Sequence, residues 1–355
     1  MAKKKIQVGL IGATGYGGIG LIELLINHPS ATISALIAKQ ETGKLISTIY
    51  PHLKGFCDLP VFDPADPQCP HDFDIVFYAT PDGVGQKEAT KWLQQGIKVI
   101  DYSGDFRFND KESYASYAAR IGKSKEHAHP DILHSTTYGL PELHRELIAN
   151  SKLVGNPGCF AVSCILGLVP ALKFGLIESE GIIFDAKTGV SGAGKTPSPS
   201  FHFPARYEAM NAYKITSHQH VYEIEKELSR AADKELKVTF TPHIIPVSRG
   251  IIATIYAPIA THTNMETLRE AYETLYNKEP FIRVFSHGEI LSTTDVRGSN
   301  FCNISLTIDE RTGMLIIISV IDNLVKGQAG NALQNMNIMM NIEETTGLMN
   351  PGNFP

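Results

Sequence analysis

Short apolar runs alternate with helix-like stretches over the first hundred residues. The runs that predict strands are 6–11, 32–37, 74–79 and 98–101. Leu21, Leu24 and Leu25 follow the first run at helical spacing, which ends near Pro29, and residues 87–95 predict a further helix. Strands connected by helices are typical of a parallel, doubly wound sheet, so this part of the chain is expected to be an α/β domain.

The pattern changes after about residue 155. Apolar residues between 160 and 172 have the spacing of a buried helix. Segments that predict strands then follow at 182–184, 237–241, 251–256, 281–285, 301–308 and 315–321. Residues 237–241 alternate with period two, as expected for a half-buried strand of an antiparallel sheet. Ala329, Leu333, Met336 and Met340 mark a last helix.

Length and composition limit the class of protein. A chain of 355 residues corresponds to about two domains. The apolar content is 43%, which can form a sizeable core, and the net charge of −5 argues against broad nucleic-acid binding. Lys3, Lys4 and Lys5 form a short basic run, but no apolar stretch approaches the length of a membrane span, and no signal-peptide pattern is present. We therefore expect a soluble, cytoplasmic protein that binds neither nucleic acid nor membrane.

Cysteine and histidine spacing argues against metal and disulfide sites. The five cysteines are scattered without CxxC spacing, which is not typical of a disulfide framework or a structural zinc site. Three histidines lie around Pro130 in the polar segment 111–137, which is interpreted as a lid or a surface excursion with solvated side chains. No bound metal is expected.

A glycine-rich turn follows the first predicted strand. Its sequence is GATGYGG, from Gly12 to Gly18, and it precedes a predicted helix. Such a turn lets backbone N–H groups approach a pyrophosphate at the positive end of the helix, although a purely structural turn is the alternative. Lys39 stands where NAD-binding proteins usually carry an acid, which favours NADP, unless Lys39 is only a solvated lysine beside Glu41.

A candidate nucleophile lies at the start of the buried helix. The segment GNPGCF places Cys159 at or near a helix N-terminus, where the dipole favours the thiolate. A thiolate nucleophile usually has a partner base, and the HQH segment at 218–220 precedes a helix. The positive end of that helix disfavours an imidazolium there. Spacing alone leaves His218 and His220 as alternatives.

Several motifs together resemble the N-acetyl-γ-glutamyl-phosphate reductase family, a relative of aspartate-semialdehyde dehydrogenase. The motifs are GATGYGG, DYSGDFR at 101–107, YGLPE at 138–142, GNPGCF at 155–160, SGAGK at 191–195, HQH at 218–220, PVSRG at 246–250 and DNLVKG at 322–327. The resemblance implies a Rossmann-type NADP-binding domain formed by 1–157 and 323–355. It also implies an α+β catalytic domain, 158–322, with a mixed, largely antiparallel sheet. A homodimer or homotetramer is expected on the same ground.

The resemblance assigns roles to residues that spacing could not separate. It places the nucleophile at Cys159 and the base at His218. The residues expected to bind the cofactor are Gly12, Thr14, Gly15, Tyr16, Gly17, Lys39, Thr80, Pro81, Ser191, Gly192, Gly194, Asn323 and Leu324. The residues expected to bind substrate are Ser103, Arg107, Tyr138, Glu142, Asn156 and Arg249. Small departures from the family pattern occur at Gly104, Lys195 and Gln219, where Ala, Arg and Arg are more common.

The expected reaction is reduction of N-acetyl-L-glutamyl 5-phosphate by NADPH through a Cys159 thioester, in arginine biosynthesis. His218, as imidazolium, would give its proton to the oxyanion or the leaving sulfur. Asn156 and the Cys159 N–H are candidate oxyanion contacts, and Arg107 and Arg249 are candidates for the substrate carboxylate and phosphate, with ordinary ion pairs as the alternative. Three alternative hypotheses remain: a related acyl-phosphate reductase, a Cys–His hydrolase or transferase that binds no nucleotide, and a non-catalytic redox sensor.

Overall fold

The computed structural model describes residues 4–286 and 288–354, so Lys3 of the basic run lies outside the described residues. The strands are β1 Ile6–Ile11, β2 Ala31–Ile37, β3 Val61–Phe62, β4 Ile75–Tyr78, β5 Lys98–Asp101, β6 Thr137–Tyr138, β7 Leu153–Gly155, β8 Ile183–Thr188, β9 Asn211–Ala212, β10 Thr239–Ile244, β11 Ile251–Pro258, β12 Ile282–Phe285, β13 Cys302–Asp309 and β14 Met314–Ile321. The α-helices are α1 Tyr16–Leu25, α2 Ile46–Ile49, α3 Gly85–Gln94, α4 Lys111–Arg120, α5 Pro141–Asn150, α6 Cys159–Lys173, α7 Phe203–Arg206, α8 His220–Ala232, α9 Met265–Tyr276 and α10 Gly330–Met339.

These elements form two compact units. The first contains residues 4–157 and Gln328–Met349, and the second contains Gly158–Gly327 and residues 350–354. The last helix, α10, therefore belongs to the first unit, where it contacts α1 and α5. The sequence-based division differs from the observed one in the short stretches 323–327 and 350–354, which lie with the second unit.

The first unit is built on a parallel sheet. Its strand order is β3-β2-β1-β4-β5-β7-β6, and every recorded pairing between neighbours is parallel. The chain moves outward from β1 to β3 and then returns to β4 on the other side of β1, which is the winding of a doubly wound sheet. Ligands bind such sheets at the carboxyl ends of the strands flanking this switch. The predicted α/β class is confirmed.

The second unit is built on a mixed sheet in the order β12-β13-β14-β11-β8-β10-β9. The pairs β13–β14, β14–β11 and β11–β8 are antiparallel, whereas β12–β13 and β8–β10 are parallel. Helix α6 contacts β11 and β14 and is buried from Phe160 to Leu172. Gly167 allows this close approach, because a Cβ there would lie 2.6 Å from Ile255 Cδ1. The predicted α+β class with a mixed sheet is confirmed.

The apolar pattern places one of the predicted strands too early. Residues 237–241 were expected to form a strand, but β10 begins at Thr239 and continues to Ile244. Lys237 remains outside, where its Nζ pairs with Glu235 at 2.9 Å and Glu225 at 3.7 Å. The alternation that begins at Lys237 extends through the real strand, so periodicity located the element but not its first residue.

The segment 111–137 is more ordered than its polar composition indicates. Asp110 accepts a hydrogen bond from the Ser113 N–H and caps α4, whose Tyr114 and Tyr117 are buried. The expectation that the histidines here are solvated is wrong for His127, which is 6% exposed. Its ring packs edge-on against Tyr114 and Phe106, and these contacts join the segment to the core of the first unit.

Two searches of the described residues bear on the class of protein. No helix within 4–286 or 288–354 is both long and apolar enough to cross a membrane. In the same part of the chain, no group of three or more His, Cys, Asp or Glu side chains converges as metal ligands would. The five cysteines carry free thiols, of which Cys159 is half-buried and the others are buried.

Candidate active site

The glycine turn after β1 has a shape that only glycine allows. Gly12 has φ +87°, and a Cβ atom there would lie 2.3 Å from the Ala79 carbonyl oxygen. At Gly18, a Cβ would lie 2.5 Å from the Gly12 oxygen. Helix α1 then begins at Tyr16 without a side-chain cap on its first N–H groups. N–H groups at an uncapped helix N-terminus can bind a pyrophosphate, so this turn stays a candidate site for one.

Other predicted cofactor residues of the first unit surround this turn. Thr14 is buried, and its carbonyl oxygen accepts a hydrogen bond of 2.7 Å from the Tyr50 hydroxyl. Lys39 lies on the surface shortly after β2. Glu41, the nearby acid, forms a 2.6 Å ion pair with Lys44. A cation without a competing acid at this strand end is what a 2′-phosphate requires.

Two buried polar atoms of the first unit also fit a bound nucleotide. Thr80 follows β4, and its Oγ1 is buried without a hydrogen-bond partner among the described residues; Pro81 comes next in the chain. Gln328 Oε1 is also buried without a hydrogen-bond partner among the described residues. Its Nε2 lies close to the glycine turn, 3.0 Å from the position that a Cβ on Gly17 would occupy. Buried polar atoms normally have partners, so both are available to a ligand. Gln328 was missed from the sequence, although it directly follows the DNLVKG motif.

Cys159 is the first residue of α6 in the second unit, as predicted. Gly158 caps the helix, and its N–H donates a 2.9 Å hydrogen bond to Oε2 of the buried Glu223. Gly327 packs against the Cys159 side chain, since a Cβ at 327 would lie 2.7 Å from Cys159 Cβ. By contrast, burial raises the pKa of the Cys164 thiol well above its usual range, and that residue lies inside the same helix.

His218 is enclosed by aromatic rings. It is 3% exposed, and its ring centroid lies 5.4–5.5 Å from those of Phe160, Phe240 and Tyr213. Burial, followed by the charges of His220 and Lys214, lowers the pKa of His218 to about 2. The ring is therefore neutral near pH 7. Its Nδ1 accepts the His220 N–H at 3.2 Å, which leaves the ring proton on Nε2, 3.4 Å from the Tyr213 hydroxyl.

His220 connects the two predicted catalytic residues within this unit. Its ring packs against Gly158, where a Cβ would lie 2.3 Å from the ring Nε2, and its centroid is 4.7 Å from that of His218. Tyr213 is the further member of this group that sequence reasoning missed. Burial and then the charge of Cys159 raise the pKa of its hydroxyl. Its position five residues before His218 was the available signal.

Arg249, Asn323 and Ser191 lie together near the ends of β11 and β14. Arg249 Nε contacts both carboxylate oxygens of Asp322, at 3.3 and 3.1 Å. Asn323 accepts the Gly250 N–H at 2.7 Å and donates to Ser191 Oγ at 2.9 Å. Asn323 and Ser191, both predicted to bind the cofactor, are therefore hydrogen-bonded to each other. Of the other predicted residues here, Gly192 lies in the 3-10 turn Val190–Ala193, Gly194 follows it with φ +80°, and Leu324 donates its N–H to Asp322.

Arg107 of the first unit is buried rather than a surface ion pair. Its Nε donates to the Asn156 carbonyl at 2.8 Å and its Nη2 to the Tyr102 carbonyl at 2.5 Å. Ser103 donates to Asp101 and accepts the Asp105 N–H at 3.2 Å. Hydrogen bonds of the DYSGDFR motif thus stabilise its own turn, through Ser103, and the chain just after strand β7, through Arg107.

Two of the remaining predicted substrate residues, Asn156 and Glu142, form hydrogen bonds with side chains of α10. Asn156 Oδ1 accepts hydrogen bonds from the side-chain amides of Asn331 and Asn335, and its own amide donates to the Gln328 carbonyl. Glu142 accepts a long hydrogen bond of 3.5 Å from Gln334. Tyr138 packs edge-on against His144, with centroids 6.2 Å apart. Substrate binding by these residues stays a prediction.

Relatives with known names match the chain almost from end to end. One from Bacillus cereus (strain AH187), named N-acetyl-gamma-glutamyl-phosphate reductase, is 44% identical over 343 residues, covering 97% of this chain and 98% of the relative. A protein of the same name from Bacillus mycoides (strain KBAB4) is 43% identical over 350 residues, covering 99% and 100%. The chain belongs to the N-acetyl-γ-glutamyl-phosphate reductase family.

Family models and solved structures agree with this assignment. Residues 7–151 match the semialdehyde dehydrogenase NAD binding domain, and residues 159–323 match the semialdehyde dehydrogenase dimerisation domain. Aspartate semialdehyde dehydrogenase II from Vibrio cholerae has the same fold, with a TM-score of 0.71, 17% identity and coverage of 96% of this chain and 99% of that one. An aspartate semialdehyde dehydrogenase from Candida albicans, solved with NADP, gives a TM-score of 0.63 at 17% identity, covering 95% and 99%.

As a member of this reductase family, the chain is an NADP-dependent oxidoreductase of amino-acid biosynthesis. The predicted family and cofactor are confirmed. A nucleotide-binding domain over 7–151 argues against the hydrolase or transferase without nucleotide. The match to a dimerisation domain indicates an oligomer, and the reductase relatives indicate a small-molecule substrate.

Proposed function

We propose that the chain catalyses the reaction of N-acetyl-L-glutamyl 5-phosphate, NADPH and a proton to give N-acetyl-L-glutamate 5-semialdehyde, NADP⁺ and phosphate. The observation that carries this proposal is the identity of 43–44% to reductases of that name over nearly the full length. The aspartate semialdehyde dehydrogenases share the fold at 17% identity, so they support the chemistry less specifically.

Cys159 is proposed as the nucleophile. Its thiolate attacks the acyl carbon, the bond to the phosphate oxygen breaks, and a thioester forms on Sγ. The start of α6 supports this role, because a helix N-terminus stabilises negative charge on the sulfur. The hydrogen bond from the Gly158 N–H to Glu223 fixes the backbone immediately before the nucleophile.

The proposed role of His218 differs from the sequence-based mechanism in one respect. That mechanism has an imidazolium donate its proton, but burial lowers the His218 pKa to about 2, so the resting ring is neutral. In this state Nε2 carries the proton and is the atom that can donate a hydrogen bond to a developing oxyanion. Service as a base would need a lone pair on Nε2, and so the other neutral tautomer; this role stays a prediction.

The residues around the glycine turn fit NADPH. The Gly12–Gly18 turn would hold the pyrophosphate, Lys39 the 2′-phosphate, and Thr80 and Gln328 offer the buried polar atoms described above. NADPH, when bound, supplies the hydride that reduces the thioester. The protein's own part is to bind the phosphates through backbone donors and a cation.

Of the two arginines predicted to bind substrate, Arg249 is the better candidate for an anion. Arg107 is 8% exposed, and its guanidinium donates hydrogen bonds to two backbone carbonyls. We therefore assign this side chain to stabilising the fold. The Arg249 side chain is 29% exposed and contacts Asp322 through Nε, so its Nη groups keep their hydrogen-bond donors for a ligand. A planar guanidinium matches either the phosphate or the carboxylate of the substrate.

The test is the reverse reaction. Purified protein is given N-acetyl-glutamate semialdehyde, NADP⁺ and phosphate, and NADPH absorbance is followed, with aspartate semialdehyde as the comparison substrate. We expect kcat/KM to favour the acetylated five-carbon substrate. A preference for aspartate semialdehyde would instead place the chain with the related acyl-phosphate reductases.

A homodimer through the open face of the second sheet is proposed as the minimal assembly. Helix α6 covers one face, while Ile252, Tyr256, Ile316 and Ile318 on the other are only partly buried. Tyr256 pairs with Ile316 across β11 and β14, so these side chains form one apolar patch. Ile318→Lys should shift the mass measured by light scattering from dimer to monomer; an unchanged mass would place the interface elsewhere.

A cytoplasmic location is likewise proposed. The reaction draws on NADPH and an acyl phosphate, both of which are small soluble metabolites. Cell fractionation followed by immunodetection would test it, and recovery with the membrane fraction would contradict it.

A further inference from the structure

The antiparallel pairing of β11 and β14 brings an acid and an arginine together in the second unit. Ile251, the first residue of β11, pairs with Ile321, the last residue of β14. Arg249 lies two residues before β11, and Asp322 directly follows β14. Their contact is therefore set by the register of two long central strands.

Asp322 is completely buried and well connected. Its Oδ2 accepts the Gly298 N–H at 2.7 Å, and its Oδ1 accepts the N–H groups of Leu324 at 2.8 Å and Val325 at 3.3 Å. Both oxygens also contact Arg249 Nε. A carboxylate fixed by three backbone donors is a rigid support for a guanidinium.

The contact uses only one edge of the guanidinium. Among the described residues, Asp322 is the sole recorded side-chain partner of Arg249, and it engages Nε. Both Nη groups thus keep their donors for a ligand, and the side chain is 29% exposed. Asn323 fixes the backbone on the other side of this arginine, since its Oδ1 accepts the Gly250 N–H at 2.7 Å.

We propose that Asp322 is a positioning residue for substrate recognition: it holds the Arg249 guanidinium through Nε so that both Nη groups face an oxyanion of the substrate. This inference rests on the proposed function, in which Arg249 binds the phosphate or the carboxylate. Burial of Asp322 makes the support strong, because a buried carboxylate loses little of its interaction to solvent. The neighbouring Asn323 gives the arginine's backbone the same rigidity.

The test measures KM and kcat in the reverse reaction for wild type, Asp322→Asn, Arg249→Ala and the double variant. Phosphate is varied at fixed semialdehyde and the semialdehyde at fixed phosphate, so that the affected KM identifies the anion. Asp322→Asn should raise that KM by about tenfold or more, with a smaller change in kcat. In the Arg249→Ala background it should add nothing to KM, because the two residues act as one unit.

Asp309→Asn is the matched control. Asp309 also pairs with an arginine of the second unit, Arg311, but that side chain is 82% exposed, so KM and kcat should stay at wild-type values. An unchanged KM in Asp322→Asn, or an equal rise with and without Arg249, would overturn the positioning role. If wild type itself forms no NADPH, the proposed function fails instead.

Asp322→Asn could also destabilise the backbone that Asp322 caps. If thermal unfolding shows that it does not fold, Arg249→Ala alone decides the matter by chemical rescue. Millimolar guanidinium, but not ammonium, should restore part of the lost activity, because Asp322 would hold the free cation where the side chain was. No rescue by guanidinium would count against the proposal.

Discussion

At the scale of single residues, burial decides how the candidate catalytic groups behave. His218 and Cys164 are both enclosed in the second unit, and in each case loss of solvent disfavours the charged form. The spacing of HQH could not reveal this, because Phe160 and Phe240, which pack against His218, come from distant parts of the chain. Cys159 differs from Cys164 by its place at the helix start, which the sequence did predict.

The lowered pKa of His218 makes a prediction about pH. The neutral ring is present throughout the range from pH 5 to pH 8, because its pKa of about 2 lies far below. The kcat/KM of the free enzyme should therefore show no acid limb from His218 near 6.5, the usual value. His218→Ala should lower kcat/KM by about 10²–10⁴.

A pH profile of kcat/KM for wild type and the variant checks both parts. An acid limb with a midpoint near 6.5 in wild type that is lost in His218→Ala would contradict the neutral resting state. A variant with wild-type rates would remove His218 from the mechanism.

Asp101 makes a prediction about stability in the first unit. Burial, then the charge of Asp105, raises the pKa of its carboxyl well above the usual range, so it folds in the protonated form. The unfolded chain binds fewer protons than the folded one above about pH 4, so the stability contributed by this group falls as pH rises. Asp101→Asn stays neutral and keeps an acceptor for Ser103. It should lose less stability than wild type between pH 5 and pH 8.

Urea unfolding across this pH range measures the effect, with Asp309→Asn as the control. Asp309 pairs with Arg311, whose side chain is 82% exposed, so its replacement should leave the wild-type slope of stability with pH unchanged. An Asp101→Asn variant that loses stability with pH as steeply as wild type would contradict the protonated carboxyl.

At the scale of elements, hydrophobic periodicity identified the central strands and several helices, but it missed the helices α5 and α9 and the shortest strands. Strands β1, β5 and β14 and helix α6 were predicted within a residue or two, because each has a continuous apolar pattern. Strands β6 and β7 have two and three residues, too few for a period. The helix α4 was missed because its apolar content lies in tyrosines, whose burial depends on packing.

Candidate-site residues also differ in whether neighbouring residues in the sequence or long-range contacts determine their position. The glycine turn and Cys159 could be predicted, since a tight turn and a helix start depend on neighbouring residues. The contacts of Asn156 with α10 and the pairing of Asp322 with Arg249 join residues 73 or more positions apart. Such contacts are fixed by tertiary structure and leave no local pattern.

The end of β2 allows a prediction about cofactor choice. Lys39 is the cation available to a 2′-phosphate there, and Glu41 is paired with Lys44. Lys39→Glu should therefore weaken NADPH binding much more than NADH binding, because a carboxylate repels the phosphate but can accept from ribose hydroxyls. Fluorescence titration with both nucleotides measures it, with Lys44→Glu as the control. Equal weakening of both would contradict the role of Lys39.

At the scale of the whole molecule, two units with different tasks make up one enzyme. The parallel sheet of the first unit carries the candidate nucleotide site at its strand ends, and the second unit, with the mixed sheet, carries the candidate residues Cys159, His218 and Arg249. Each unit matches its own semialdehyde dehydrogenase domain model. In the proposed mechanism, Cys159 carries an acyl group that only phosphate releases.

Phosphate-free turnover tests this claim most directly. Wild type mixed with N-acetyl-glutamate semialdehyde and NADP⁺ should form about one equivalent of NADPH per Cys159 in a burst and then stop. Addition of phosphate should restart NADPH formation, while Cys159→Ser should give neither phase yet still bind NADPH. Steady NADPH formation without phosphate, or a burst in Cys159→Ser, would contradict the account.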